Sequence, residues 1–257
     1  MQPLVSIITI NYNNAAGLKA TVDSVIAQEF RDFEFVIIDG GSTDGSLAII
    51  EENKVHFEHW VSEPDGGIFE AQNKGIAAAK GEYLLFLNSG DCLNGTQALG
   101  DFVKAPQFKG DIIYGDYKYE TGGKSYPDEL TPLFFFKSSL PHQSTLFRSR
   151  VFEQMGNYDT SLRIAADRAF YIKCFLSNQF SFSHVPQALS FFDLSGVSND
   201  PSFAAKKEAE DTQVLKQYFG IYYEDYQTLM ALNAALSAAK RNTPQGILKR
   251  IKRRLFK

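Results

Sequence analysis

Four apolar runs, each closed by a polar turn and followed by residues of helical periodicity, organise the first part of the chain. Residues 4–10 (Leu-Val-Ser-Ile-Ile-Thr-Ile) are nearly all apolar, as a strand covered on both faces requires. A helix is expected over 15–28, with Leu18, Val22, Val25 and Ile26 on one face. Strands follow over 33–38, 55–61 and 83–88, and helices over 46–53 and 68–80. Strand, turn and helix in this order predict right-handed βαβ units and a parallel sheet with helices on both faces. Ligands in such sheets sit beyond the carboxyl ends of the strands. The polar turns at 11–14, 39–44, 63–67 and 88–91 all fall there.

The second half alternates less cleanly. Residues 111–119 read as an edge or mixed-sheet strand, 143–147 as another, and 180–192 as strand interrupted by Pro186. The three phenylalanines within 132–138 read either as a buried aromatic cluster or as a lid over an acceptor. Helices are expected over 168–177, 203–218 and 226–240. The chain therefore divides into a domain over 1–200 and a helical extension over 201–257.

Composition adds limits. With 257 residues and 44% hydrophobic content the chain suits one enzyme-sized unit with an appendage. Cys92 and Cys174 are too few for a disulfide framework, and no leader-like or membrane-spanning run is present, so a cytoplasmic location is expected. The net charge of −4 combines a tail from Lys240 with eight basic residues and no acid, and a body of −12. Such a body does not suit nucleic acid. Residues 246–257 put Ile247, Leu248, Ile251 and Leu255 on one face among Lys and Arg. That pattern fits a helix lying on an anionic membrane, a solvated tail, or a helix docked on a partner subunit, which leaves room for a homo-oligomer.

The strand exits carry the chemistry. Thr9, Asn11, Tyr12 and Asn13 offer hydrogen bonds and one aromatic face to a flat base, or else form a turn that caps the next helix. Asp39 ends the second strand, where a nucleotide-binding sheet meets base or ribose; the alternative is a capped Gly-rich turn. Neither a phosphate loop of the G-x-x-x-x-G-K-[ST] type nor G-x-G-x-x-G occurs. A diphosphate in this acidic setting then calls for a divalent cation, Mn²⁺ or Mg²⁺, with Asp91 as ligand, or else Asp91 is a turn residue near the cap of a helix that begins around Thr96. Asp167, at the start of a helix, can accept the proton of an attacking hydroxyl or simply cap that helix. His142, beside Pro141, lines an acceptor cleft or serves as a structural hydrogen-bonder.

Taken together, Val5-Ser6-Ile7-Ile8-Thr9-Ile10-Asn11-Tyr12-Asn13, Phe35-Val36-Ile37-Ile38-Asp39-Gly40-Gly41-Ser42-Thr43-Asp44-Gly45, Asp65-Gly66-Gly67-Ile68 with Gln72-Asn73-Lys74-Gly75-Ile76, and the segment from Gly81-Glu82-Tyr83 to Asn88-Ser89-Gly90-Asp91 resemble the family 2 glycosyltransferases of the GT-A fold. The resemblance spans about the first 95 residues, a nucleotide-binding half, with 96–200 as the acceptor-side half. His142-Gln143-Ser144-Thr145-Leu146-Phe147-Arg148 and Ile164-Ala165-Ala166-Asp167 resemble acceptor-side motifs of bacterial members that build capsule, O-antigen and exopolysaccharide.

The resemblance implies a Rossmann-like, mostly parallel α/β sheet and inverting transfer from a nucleotide-diphosphate sugar, usually a UDP-sugar, with a divalent cation. It assigns Thr9, Tyr12 and Asp39 to the nucleoside, Asp65 and Asn73 to the donor pocket, Asp91 to the metal and Asp167 to the role of base. Asn11, Ser89 and Gly90 join the donor-binding set and His142 the acceptor side. The acceptor it implies is a saccharide, often carried on undecaprenyl diphosphate, which would give the basic tail a reason to sit at the inner face of the cytoplasmic membrane. Asn88 and Gly90 depart from the family's D-x-D, and Gln72 stands where relatives carry an arginine. Those departures leave two alternatives to the enzyme: an inactive sugar-nucleotide-binding module, or a nucleotidyltransferase.

Overall fold

The computed structural model describes residues 2–194, 196 and 200–241. Its backbone forms two compact units, residues 1–211 and 212–257. In the first, the strands are β1 (Val5–Asn11), β2 (Phe33–Asp39), β3 (His59–Ser62), β4 (Tyr83–Phe86), β5 (Cys92–Leu93), β6 (Ile112–Tyr119), β7 (Gly122–Lys124), β8 (Thr145–Arg148) and β9 (Phe182–Phe191). The helices there are α1 (Ala15–Ile26), α2 (Ser46–Asn53), α3 (Ile68–Ala78), α4 (Ala98–Lys104), α5 (Pro132–Lys137), α6 (Ser149–Met155) and α7 (Ala166–Leu176). They are followed by α8 (Ala204–Phe219) and α9 (Tyr223–Arg241).

The sheet order is β3-β2-β1-β4-β8-β6-β9-β5, with β7 beside β6. β3, β2, β1 and β4 are mutually parallel, as the βαβ reading requires. From β8 onward the sheet is mixed: β8 runs antiparallel to β4 and β6, while β9 runs parallel to β6. Alternation along the strands divides the core. Val5, Ile7, Phe35, Ile37, Tyr83 and Leu85 pack with Leu18, Val22, Val25 and Ile50 of α1 and α2 and with Leu99 and Phe102 of α4. Ile8, Val36, Ile38 and Phe86 lie at the alternate positions and are equally buried. Burying both faces explains why these strands are continuously apolar.

Several local expectations shift. The third strand begins at His59, because Lys54–His56 prolong α2 as a tight 3₁₀ turn that leaves Val55 82% exposed. The triple phenylalanine is helical, with Thr131 accepting from Phe134 N–H as its cap and with Phe135 and Phe136 buried. α6 and the two-residue β5 fall outside the sequence expectations. The basic tail, 246–257, lies outside the described residues. Among the described residues no helix is long and apolar enough to cross a membrane.

Candidate active site

The exits of β1, β2 and β3 are knotted together by one carboxylate. Asp39, with no exposed surface, accepts from Asn11 Nδ2 at 2.7 Å, Ser42 Oγ at 2.5 Å, Ser42 N–H at 2.9 Å and Ser62 Oγ at 2.6 Å. Burial alone would raise its pKa, but these donors outweigh it and hold the carboxyl below the ordinary range. Asp39 therefore stays ionised and organises the turn. Beside it Tyr12 is 68% exposed, an aromatic face unused by the fold. A Cβ on Gly40 would come within 3.2 Å of the Tyr12 ring and 3.0 Å of Asp65 Oδ2, so this glycine lets ring and carboxylate close around one spot. Asp65 accepts from Gly67 N–H at 2.8 Å and so shapes the entry to α3.

The fourth exit adjoins the first. Ser89 N–H donates to Ile10 C=O at 3.1 Å, and Asn14 Nδ2 donates to Ser89 C=O at 3.2 Å. Thr21 of α1 pins the turn from behind, accepting from Gly90 N–H at 3.0 Å and donating to Asp91 C=O at 2.7 Å. Gly90 takes φ +106°, and a Cβ there would fall 2.5 Å from Asp193 Oδ2. The missing side chain is thus the space that Asp193, just after β9, occupies. Asp193 N–H also donates to Asp91 Oδ1 at 3.0 Å. Burial pushes the Asp91 carboxyl up to about 8, the hydrogen bond from Asp193 N–H opposing and the neighbouring Asp193 charge adding to the shift.

The donor set at this turn fits a divalent cation. Two carboxylates meet at a glycine cradle, and hard oxygen ligands suit Mn²⁺ or Mg²⁺. Among the described residues no group of three or more His, Cys, Asp or Glu could hold a metal. Protein ligands would thus number two, leaving other positions to phosphate oxygens and water. Nearby, Gln72 is buried and donates to Asn88 Oδ1 at 3.3 Å. Among the described residues its Oε1 has no hydrogen-bond partner, and neither has Ser89 Oγ. Lys74, a candidate for charge neutralisation, is bound to Glu63 at 2.8 Å.

Three expected site residues have side chains engaged within the fold. Thr9 has no exposed surface, and its hydroxyl donates to Leu87 C=O at 2.7 Å, joining β1 to the end of β4. Asn73 is spent as a clamp: its Nδ2 donates to Tyr158 C=O at 2.9 Å and its Oδ1 accepts from Tyr158 N–H at 3.0 Å. His142 packs on Phe86 with ring centroids 4.9 Å apart, and its Nε2 lies 3.2 Å from the Tyr158 hydroxyl. Burial pushes the imidazole down to about 3, so at neutral pH it carries no charge and cannot act as a cationic acid.

Asp167 lies in the first turn of α7, whose cap residue is Ala165, so the carboxylate is not the cap. Its Oδ1 accepts from Arg168 N–H at 2.6 Å. Burial raises the carboxyl to about 6, with Asp211 adding to the rise and the Arg168 N–H, Lys207 and the Arg168 charge opposing it. Arg168 itself is committed, to Asp211 at 2.7 Å and to the carbonyls of Phe135 and Phe136 at 3.1 and 2.8 Å. The aromatic rings of Phe86, Tyr158 and Phe170 link the β4 exit to α7. Thr21, Asp193 and Glu210, which caps the loop before α7, escape the sequence reading; the one available signal is Asp193, an acid directly after an apolar strand.

A mixed α/β sheet whose parallel strand exits gather an exposed aromatic face and buried carboxylates is an arrangement suited to enzymes that handle nucleotide-linked groups. The family model described as glycosyl transferase family 2 matches residues 6–173, and the chain belongs to that family. It is a glycosyltransferase. An uncharacterized glycosyltransferase of Mycobacterium tuberculosis is 37% identical over 182 residues, covering 68% of this chain and 70% of that protein. A Mycobacterium bovis protein named as a PGL/p-HBAD biosynthesis glycosyltransferase is 33% identical over 214 residues, covering 77% and 80%. Among solved structures, S. aureus TarS in complex with UDP-GlcNAc superposes with a TM-score of 0.64 at 20% identity, covering 93% of this chain and 74% of that one. The mannosyltransferase PcManGT of Pyrobaculum calidifontis, in complex with GDP-Man and Mn²⁺, gives 0.57 at 15% identity, covering 93% and 81%. At these identities the structural likeness speaks for the GT-A fold alone.

Proposed function

We propose that the enzyme transfers a sugar from a UDP-sugar, with inversion, to a saccharide or lipid-linked saccharide of the bacterial cell surface. The observation that carries this reading is the convergence of Tyr12, Asp65, Asp91 and Asp193 on adjoining strand exits, which supplies a stacking face for a base and carboxylates for a cation beside it. The UDP-GlcNAc bound in TarS supports the choice of nucleotide. Asp39 shapes the nucleoside pocket by holding Asn11 and Ser42, while Gly90 and Ser89 form the wall nearest the diphosphate. A divalent cation held by Asp91 and Asp193 would balance the charge of the departing diphosphate.

Asp167 is the base in this reading. As the acceptor oxygen bonds to the anomeric carbon, its proton passes to the Asp167 carboxylate and the bond from that carbon to the diphosphate breaks. A carboxyl raised to about 6 suits the task, being ionised at neutral pH yet more basic than an ordinary aspartate. UDP release from a panel of UDP-sugars, with Mn²⁺ and with EDTA, tests the whole proposal. Cation-dependent release with one sugar is expected; no release with any UDP-sugar, in the presence of surface-polysaccharide acceptors, refutes it.

A further inference from the structure

The segment that presents Asp167 is gripped from outside by α8. Backbone N–H groups of Arg163, Ile164 and Ala165 all donate to the Glu210 carboxylate, at 2.8–3.1 Å. Glu210 is only 7% exposed. The next residue, Asp211, takes the Arg168 guanidinium at 2.7 Å, and that guanidinium also ties down two α5 carbonyls. α7 has no side-chain cap of its own, since Ala165 stands at that position. Burying a carboxylate costs free energy, and an Asp or Ser at 165 would cap the helix locally without it. What a local cap would not do is fix the chain on both sides of residue 167 to a second element.

We infer that Glu210 is a positioning residue for Asp167, aiming its carboxylate at the acceptor hydroxyl, with Asp211 as the second grip through Arg168. The inference rests on Asp167 being the base. Its logic is geometric, because a base displaced by about 1 Å can lose on the order of a hundredfold in rate while substrate binding is untouched. The groups facing Asp167 are Arg168 in its own helix, Lys207 and Asp211 on α8, and the phenols of Tyr158 and Tyr171. Loosening the grip admits water to this group and moves its titration toward that of an ordinary aspartate.

The test compares Glu210→Gln, Glu210→Ala and Asp167→Asn in the full chain. For both Glu210 variants kcat for transfer should fall at least about tenfold. UDP affinity by calorimetry should stay within about twofold, since the donor crevice is built from other elements. The acid limb of kcat/KM should move to lower pH, and hydrogen exchange at 163–165 should quicken. Glu210→Gln, which keeps a carbonyl acceptor, should be the milder of the two. Wild-type kcat and an unmoved acid limb alongside faster exchange overturn the inference and leave Asp167 as base. A loss of kcat matched by an equal loss of UDP affinity, with the limb unmoved, overturns it too and reduces Glu210 to a scaffold residue. Turnover persisting in Asp167→Asn overturns the base assignment and this inference with it.

Discussion

Replacing Asp167 by Asn should stop transfer and make the protein more stable at neutral pH. The folded carboxyl titrates near 6 because burial disfavours its charge, whereas an unfolded aspartate titrates near ~3.9. The native state therefore holds the proton more tightly across that window, so this group favours folding below ~4 and the contribution is lost as pH rises through about 6. Two pK units correspond to at most about 3 kcal/mol. Asp167→Asn keeps the acceptor for Arg168 N–H without the charge, so the variant should gain up to that amount at pH 7.5 and less at pH 4.5. At roughly 2–4 °C per kcal/mol, the full gain would raise Tm by about 6–12 °C, which is the upper limit of the expected rise. Melting curves of both proteins at the two pH values measure it. In the same range wild-type activity should track the ionised fraction, about nine-tenths at pH 7 and about one-tenth at pH 5. A base with an ordinary pKa would show almost no loss by pH 5. The reasoning is refuted if Asp167→Asn melts below wild type at pH 7.5, or if wild-type turnover is flat from pH 7 to 5.

Tyr12→Ala should leave Tm within about 1 °C, as the ring is exposed, while weakening UDP binding about tenfold through lost stacking; isothermal titration reads both enthalpy and affinity. Asn73→Ala strips both partners from the buried Tyr158 peptide groups and should cost about 2–4 kcal/mol in urea unfolding, with donor affinity changed only as far as the fold loosens. Asp91→Asn should abolish the Mn²⁺ dependence of UDP binding, and an unaltered response to EDTA titration would remove Asp91 from the cation site. Truncation after Arg241 should release the protein from anionic liposomes in a flotation assay; unchanged binding removes the tail from the membrane role.

The strands and helices of the first half were readable because their pattern is set by burial on both sheet faces, a requirement that any residue choice must meet. Residues 46–53 form α2 as the periodicity predicts, and the β1 and β2 runs extend by one residue to Asn11 and Asp39, which the knot at the strand exits holds in register. That Tyr12, Asp39 and Asp91 would gather at the strand exits was readable, because they are polar residues at or just beyond the ends of apolar runs. The partners of Thr9, Asn73 and His142 were not readable, because spacing places a residue near a strand exit and cannot say which groups elsewhere engage its side chain. Tyr158 claims Asn73 from 85 positions away. Glu210 was hidden for the same reason, since its partners are backbone N–H groups, which have no signature in a sequence.

The hydrogen bond from Asp193 N–H to Asp91 Oδ1 joins residues separated by 102 positions. It has a consequence for how the enzyme comes into being. A ribosome delivers the four parallel strands and the whole nucleoside pocket long before β9 emerges and lays Asp193 into the gap at Gly90. Until then the proposed cation site has only one of its two carboxylates, so a nascent chain should bind UDP without the cation dependence expected of the finished enzyme.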